Sequence, residues 1–226
     1  MITIMGLVKS RREMRVEDIH EPAPGVRGPL TAFEGTHTLN VVVDRTQKAI
    51  NHARGPVEID CISQFVFANL SQGLAAAGAN GFEIALGVEE ANITDIRVVT
   101  ALQNTVVAPP TTTGALKRMS LLRKRADVSS QEFQDQWLNM HAVLVKRLPG
   151  VLGYRQNLVL DGADANTAIG VDGVVELWFE NAEAVENAFR SERGHTLMAH
   201  AKEFIAEITT FLVMPVETVH RPRGKG

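Results

Sequence analysis

The sequence has a single cysteine, Cys61, in 226 residues. That excludes an internal disulfide and a thiolate-ligated metal centre assembled within one chain, and a lone strand thiol is read as a small buried apolar side chain. Long apolar runs are missing too: none approaches the roughly 20 residues that a membrane span needs. The opening MITIMGLVKSRREM lacks the extended apolar core of a secretion signal, so the expected location is the cytoplasm. Positive charge is not in excess, with 23 Lys and Arg against 26 Asp and Glu and a net charge of -3. Without a basic stripe, the attraction that non-specific nucleic-acid binding requires is missing, which argues against nucleic acid as a partner. No Gly-rich phosphate loop, GxSxG elbow or Rossmann fingerprint occurs, so nucleotide, flavin and serine-hydrolase chemistry have no support. His195 and His200 are five apart, not the i, i+4 pair that would face one metal on a helix, and no metal is expected. Chemistry here is expected to need no cofactor.

What is present is the composition of a compact soluble protein, 45% hydrophobic and 22% charged,. The chain also repeats itself. The segment IDCISQFVFAN at 59–69 lies against VDGVVELWFEN at 171–181 without a gap, so that Asp60 matches Asp172, Phe67 matches Phe179 and Asn69 matches Asn181. Met5, Leu7 and Val8 likewise match Met119, Leu121 and Leu122, and Asn40 and Asp44 match Asn157 and Asp161. A shift of about half the chain is what a gene duplication leaves. Between the copies lies APPTTTGA, which has neither helical propensity nor an apolar face and reads as a linker. The expected organisation is a degenerate first half at 1–108, a linker at 109–115, a second half at 116–220 and a frayed basic tail at 221–226.

The second half reads as β-α-β-β-α-β. RMSLLR at 118–123 is a strand. Ser129 with Glu132 forms a capping-box signature, after which Phe133, Trp137, His141, Leu144 and Leu148 recur at helical spacing until Pro149 and Gly150. VLGYRQNLVL at 151–160 and VDGVVELWF at 171–179 are strands around a polar loop at 162–170. Asn181 caps the next helix, Gly194 breaks it from HTLMAHAKEFIAEI at 195–208, and TTFLVMPVETV at 209–219 is the last strand, where Pro215 suggests an edge or a bulge. This is the ferredoxin-like plan, an antiparallel sheet with both helices on one face. The fold class is therefore α+β, with two tandem ferredoxin-like halves packed sheet to sheet as an intramolecular α+β barrel. Val175, Leu177 and Phe179 are expected to need cover from the opposing sheet.

The run Trp137-x-x-x-His141-Ala142, followed by Leu144, Leu148-Pro149-Gly150 and Tyr154-x-Gln156-Asn157, resembles the EthD domain of the dimeric α+β barrel superfamily over residues 119–219. The first half departs from that pattern. Its counterpart at 16–30 carries Pro22, Pro24 and Pro29, which disfavour a long helix, and offers no equivalent of Trp137 or His141. The resemblance implies one site per chain, in the cleft between helices and sheet. It also implies a role in oxidative degradation of a small apolar or aromatic oxygenated compound, with cyclisation, isomerisation and decarboxylation among relatives. His141 is the expected general acid/base: a neutral imidazole on an apolar face needs a hydrogen-bond partner, and its ordinary pKa of about 6.5 suits proton transfer. Tyr154 is the second catalytic candidate. Trp137, Asn157, Trp178 and His195 are binding candidates, although strand alternation allows only one of Tyr154 and Asn157 into the cleft unless a bulge intervenes. The alternative is a non-catalytic binding or accessory protein. The halves are expected to pair within the chain, and association of two chains stays open.

Overall fold

The computed structural model describes residues 1–12, 14–18, 35–47, 49–67, 69–78, 93–111, 114–160 and 170–220. Most of the 16–30 segment, nearly all of the polar loop at 162–170 and the tail at 221–226 lie outside these. The first half supplies strands β1 (Ile2–Ser10), β2 (Gly35–Asp44), β3 (Cys61–Phe67) and β4 (Ile93–Val107) and helix α1 (Leu70–Gly78). The second begins with β5 (Leu116–Lys124), α2 (Ser130–Asp135), a π-helical turn (Gln136–His141) and α3 (Ala142–Lys146). It continues with β6 (Gly153–Val159), β7 (Gly173–Phe179), α4 (Ala182–Arg190), α5 (Glu192–Phe204) and β8 (Ile205–His220).

The eight strands close into an antiparallel barrel in the order β1-β3-β2-β8-β5-β7-β6-β4. Within it lie two ferredoxin-like sheets, β4-β1-β3-β2 and β8-β5-β7-β6, so the α+β barrel of two such halves is the observed architecture,. The sheets do more than face one another. Edge strand β2 pairs with β8, and β4 pairs with β6, which removes the free edges each half would otherwise expose,. Pro215 lies opposite Asn40 of β2, beyond Val213 where pairing with β5 ends. A residue without an N–H is tolerated there because β8 has a neighbour on one side only.

Matched residues make matched bonds. Asp60 N donates to Val8 O at 2.7 Å, and Asp172 N donates to Leu122 O at 2.8 Å. The Asp60 carboxylate accepts from Ser10 N at 2.9 Å and the Asp172 carboxylate from Lys124 N at 2.8 Å. Asn69 and Asn181 accept from Gln72 N and Ala184 N, each at 2.9 Å, so both copies start a helix with the same cap,.

Some local expectations shift. Ser129 Oγ accepts from Glu132 N at 3.1 Å, as a capping residue should. The helix that follows is not uniform, however: the π-turn inserts extra backbone, and beyond it Ala142, Val145 and Leu148 are buried while Leu144 is only half-buried. Gly150, at φ 75°, then turns the chain towards β6,. Gly194 is not the break between the last two helices. Ser191 is, its Oγ accepting from Gly194 N at 3.1 Å, and a Cβ on Gly194 would collide with the Ala188 and Phe189 carbonyls. Helix α5 stops at Phe204 rather than at 208, because the β-branched Ile205, Ile208, Thr209 and Thr210 are already in β8, paired with β5,.

The largest correction concerns the faces of β7. Val175, Leu177 and Phe179 pack with the helices, while Val174 faces the opposite sheet inside the barrel. β7 is apolar on both faces, so alternation alone does not say which one the helices cover. The barrel interior is apolar at one end, around Met5, Leu7, Ile62, Met119, Leu121 and Phe211. At the other end it is polar. Glu176, fully buried, pairs with Lys117 Nζ at 2.8 Å and accepts from Gln64 Nε2 and Asn157 Nδ2, each at 2.8 Å. Lys117 also donates to Asn40 Oδ1 at 2.8 Å. Gln64 and Asn40 belong to the first half, so this network fastens one sheet to the other.

Gly173 is a point of close approach. A Cβ there would lie 2.5 Å from two ring carbons of Trp137, which is itself fully buried. Gly173→Ala is expected to cost about 1–3 kcal/mol through overpacking, read by urea denaturation. A cost below about 0.5 kcal/mol would mean that the indole yields.

Candidate functional site

Between the helices and the second-half sheet lies a cavity of about 40 Å³. A water needs at least about 10–15 Å³ and occupies about 30 Å³ in the liquid, so the cavity has room for about one or two waters as it stands. Its walls are mostly apolar. Leu122, Val175, Leu177 and Ile208 come from the sheet, and Phe189, Leu197 and Met198 from α4 and α5. Ile50 of the first half closes one side. Four polar side chains enter: Arg118, Ser120, His141 and Tyr154.

His141 stands at the end of the π-turn and is 8% exposed. Its Nδ1 lies 3.1 Å from His200 Nδ1, and His200 Nε2 lies 3.2 Å from Gln136 Oε1. The π-turn makes this possible. Residues five apart diverge by about 140° on an α-helix, but a π-turn stacks them, so Gln136 and His141 both reach His200. On the regular helix α5 the five-residue spacing has the opposite effect: His200 faces inward and His195 is exposed. The chain of bonds also fixes protons. With an amide oxygen facing it, His200 Nε2 carries hydrogen; in the His200 tautomer that leaves its Nδ1 bare, that nitrogen accepts and His141 donates from Nδ1. His141 Nε2 is left as the lone pair. Burial first, and the neighbouring His200 imidazole second, push the His141 pKa down to about 3, so the ring is neutral over the physiological range,.

Tyr154 is fully buried and its Oη makes no hydrogen bond of proper geometry. Burial raises its pKa, an effect that Gln156 and Trp137 only partly offset, so the phenol stays a donor. Asn157 points the other way, into the barrel, where it bonds Glu176 and accepts from Gln103 Nε2 at 3.1 Å. Trp178 is also on that side, its ring 5.0 Å from Lys117 Nζ. Trp137 is packed on Phe133 and under Gly173, outside the cavity lining. Of the sequence-based candidates, the structure therefore brings His141 and Tyr154 together. It places Trp137 in the core, Asn157 and Trp178 in the barrel interior, and His195 at the surface.

Arg118 is the residue that sequence reasoning passed over. It is 3% exposed, stacks on the Phe189 ring at 4.3 Å, and bonds through Nη2 to Thr210 Oγ1 at 3.1 Å. Its Nε and Nη1 have no partner, and among the described residues no carboxylate forms an ion pair with it. Burial pushes its pKa down to about 9, which still leaves it charged near neutrality. The signal was in the strand: Arg118 alternates with Ser120 and Leu122 on the helix side of β5, a charged residue in line with core positions. Burying an unpaired ion costs several kcal/mol.

Residues 125–208 match the EthD domain family. The match spans helices α2 to α5 with the π-turn, strands β6 and β7 and the start of β8; β5, with Arg118 and Ser120, precedes it. No functionally curated protein matches the sequence. Among solved structures, an anthrone oxidase-like protein superposes with a TM-score of 0.59 at 13% identity, over 97% of this chain and 93% of that one. A candidate monooxygenase from Fusobacterium nucleatum gives 0.59 at 8% identity over 96% and 94%. A second, from Lactobacillus acidophilus, gives 0.55 at 11% over 97% and 96%. At these identities the likeness is one of fold. No described helix is long and apolar enough to cross a membrane.

Proposed function

Taking the EthD domain at residues 125–208 as premise, we propose that the second-half cleft binds a small, largely apolar, oxygen-bearing compound and that His141 moves a proton on it. The observation that carries this reading is the His141–His200–Gln136 chain, which holds a buried imidazole in one tautomer with Nε2 unbonded beside a cavity. That is the form of a general base. Tyr154, kept protonated by burial, is suited to donate to an oxygen of the ligand. The family match and the structural neighbours named as monooxygenase candidates and anthrone oxidase-like support a place in oxidative catabolism; a cytoplasmic protein that works without a cofactor completes the reading, on the sequence alone.

The test has two steps. Ligand co-purifying with the chain is identified by native mass spectrometry, and its turnover is compared between wild type and His141→Ala. A drop of about 100-fold or more with unchanged circular dichroism is expected; unchanged turnover sinks the catalytic role. A second reading, binding without turnover, draws on the same His141: a base with a pKa of about 3 is weak unless the ligand raises it. Under it, the ligand is recovered unaltered at any enzyme concentration.

A further inference from the structure

We infer that Arg118 makes the cavity an anion site, so that the ligand carries an ionised oxygen, a carboxylate or the phenolate or enolate that its deprotonation creates. This rests on the cleft being the ligand site, and it adds the charge that the ligand brings. The guanidinium is stripped of water and stacked on Phe189, with Nε and Nη1 unbonded. A planar fork with two free donors fits two oxygens of a carboxylate or one oxyanion. Among the described residues its one side-chain hydrogen bond goes to Thr210 Oγ1, which also lies 3.2 Å from Ser120 Oγ, and this holds the fork in place while leaving those donors free. Glu186 lines a neighbouring cavity of about 40 Å³ that Arg118 also borders, but it is held by Arg190 at 3.0 Å. The His141 cavity is the one in which further donors converge, since Ser120 and the unbonded Tyr154 hydroxyl line it as well.

A positive charge opposite a neutral base has a chemical consequence. When His141 Nε2 takes a proton from a carbon beside a carbonyl, the electron pair moves onto the carbonyl oxygen; when it takes one from a hydroxyl, the pair stays on that oxygen, and in either case a cation already in place stabilises the oxyanion without reorganising. The wall can widen for a ring: Met198, on the helix side of the cavity, is an unbranched and adaptable side chain,.

The experiment compares benzoate with the neutral benzyl alcohol on the full chain, by calorimetry and by the NMR resonances of arginine Nε–H groups. Wild type should bind benzoate at least 10-fold more tightly, with one Nε–H resonance shifting, the one missing from Arg118→Lys. In Arg118→Met the preference should fall to about 2-fold or less while benzyl alcohol still binds, and the variant should melt no lower than wild type, because an unpaired buried charge has gone. Benzoate binding no tighter than benzyl alcohol, including no binding of either, overturns the inference. So does a preference that survives in Arg118→Met, or an unmoved Arg118 resonance if that variant does not fold. His141→Gln separates the two readings: preference retained with turnover unchanged would sink proton transfer alone and leave the anion site standing.

Discussion

Replacing Glu176 by alanine should lower the free energy of unfolding by about 3–5 kcal/mol, because it leaves the Lys117 ammonium buried without its partner. The pair lies wholly inside the barrel, with Lys117 and Glu176 side chains 5% and 0% exposed. Burial raises the Glu176 pKa, but the charge and hydrogen bond of Lys117, with Arg155 and Asn157 behind them, more than offset it and hold the carboxyl below its ordinary range. It is therefore ionised whenever the protein is folded near neutrality. Alanine would also take the acceptor from the Gln64 amide and one of the two from the Asn157 amide, which keeps Val174 O. The double variant Lys117→Met with Glu176→Gln removes both charges and keeps an acceptor for those amides, so it should recover more than half of the loss. Urea denaturation of wild type, Lys117→Met, Glu176→Gln and the double variant then gives the coupling energy of the pair. A Glu176→Ala cost under about 1 kcal/mol would show that water reaches Lys117, and the network would not be the fastening between halves.

The network also shows where the sequence could be read and where it could not. The repeat was legible because the duplicated positions carry side chains with specific jobs. Asp60 and Asp172 bind the ends of neighbouring strands, and Asn69 and Asn181 cap helices, so the matches survive although most other positions have diverged. Strand order followed from that, since β-α-β-β-α-β read twice gives two such sheets. The edge-to-edge closure did not follow from any single segment, because pairing of β2 with β8 is a contact between residues almost 180 apart in sequence, such as Leu39 with Val216. The parity of β7 was hidden by its two apolar faces. Glu176 was the available clue: a lone carboxylate in such a strand needs a buried cation, and Lys117 sits on the strand alongside. Arg118 was hidden in the same way, as the second of two adjacent basic residues on β5, of which Lys117 turns inward to the barrel and Arg118 outward to the helices. Tyr154 and Asn157 were correctly seen to be incompatible on one face, and only coordinates could say which one enters the cleft. The π-turn left no trace in the spacing, since Phe133, Trp137 and His141 fit an α-helix equally well. Its effect is on Gln136, which a regular helix would turn away from His200.

Acidification should test His141 by a route independent of turnover. Its folded pKa of about 3 lies below the ordinary 6.5, so between those values the unfolded chain binds a proton that the folded chain does not. Stability is then fully present above about pH 6.5 and is lost as pH falls towards 3, at roughly 1 kcal/mol per pH unit. His52, whose pKa burial and then the charge of Lys202 lower against the Ile205 backbone bond, acts in the same direction. Glu176 and Asp60 have carboxyls held below their ordinary values, and their contributions fade only in more acid solution. The interval from about pH 6.5 to about pH 5 therefore belongs to the imidazoles. His141→Leu should flatten the decline there by about 1 kcal/mol per pH unit relative to wild type, measured by urea denaturation at several pH values. Equal slopes would mean that His141 is protonated in the folded protein, and the neutral-base reading would fail with them. Ligand charge enters the same measurement. An anion in the cavity favours the imidazolium and raises the His141 pKa. Saturating benzoate should then reduce the wild-type slope and leave that of His141→Leu unchanged, whereas benzyl alcohol should alter neither. Where the ligand arrives as a carboxylate, a base that gains strength only on binding it would be inert in the empty protein and competent in the loaded one, and a pKa of about 3 would then agree with the proposed proton transfer near neutrality.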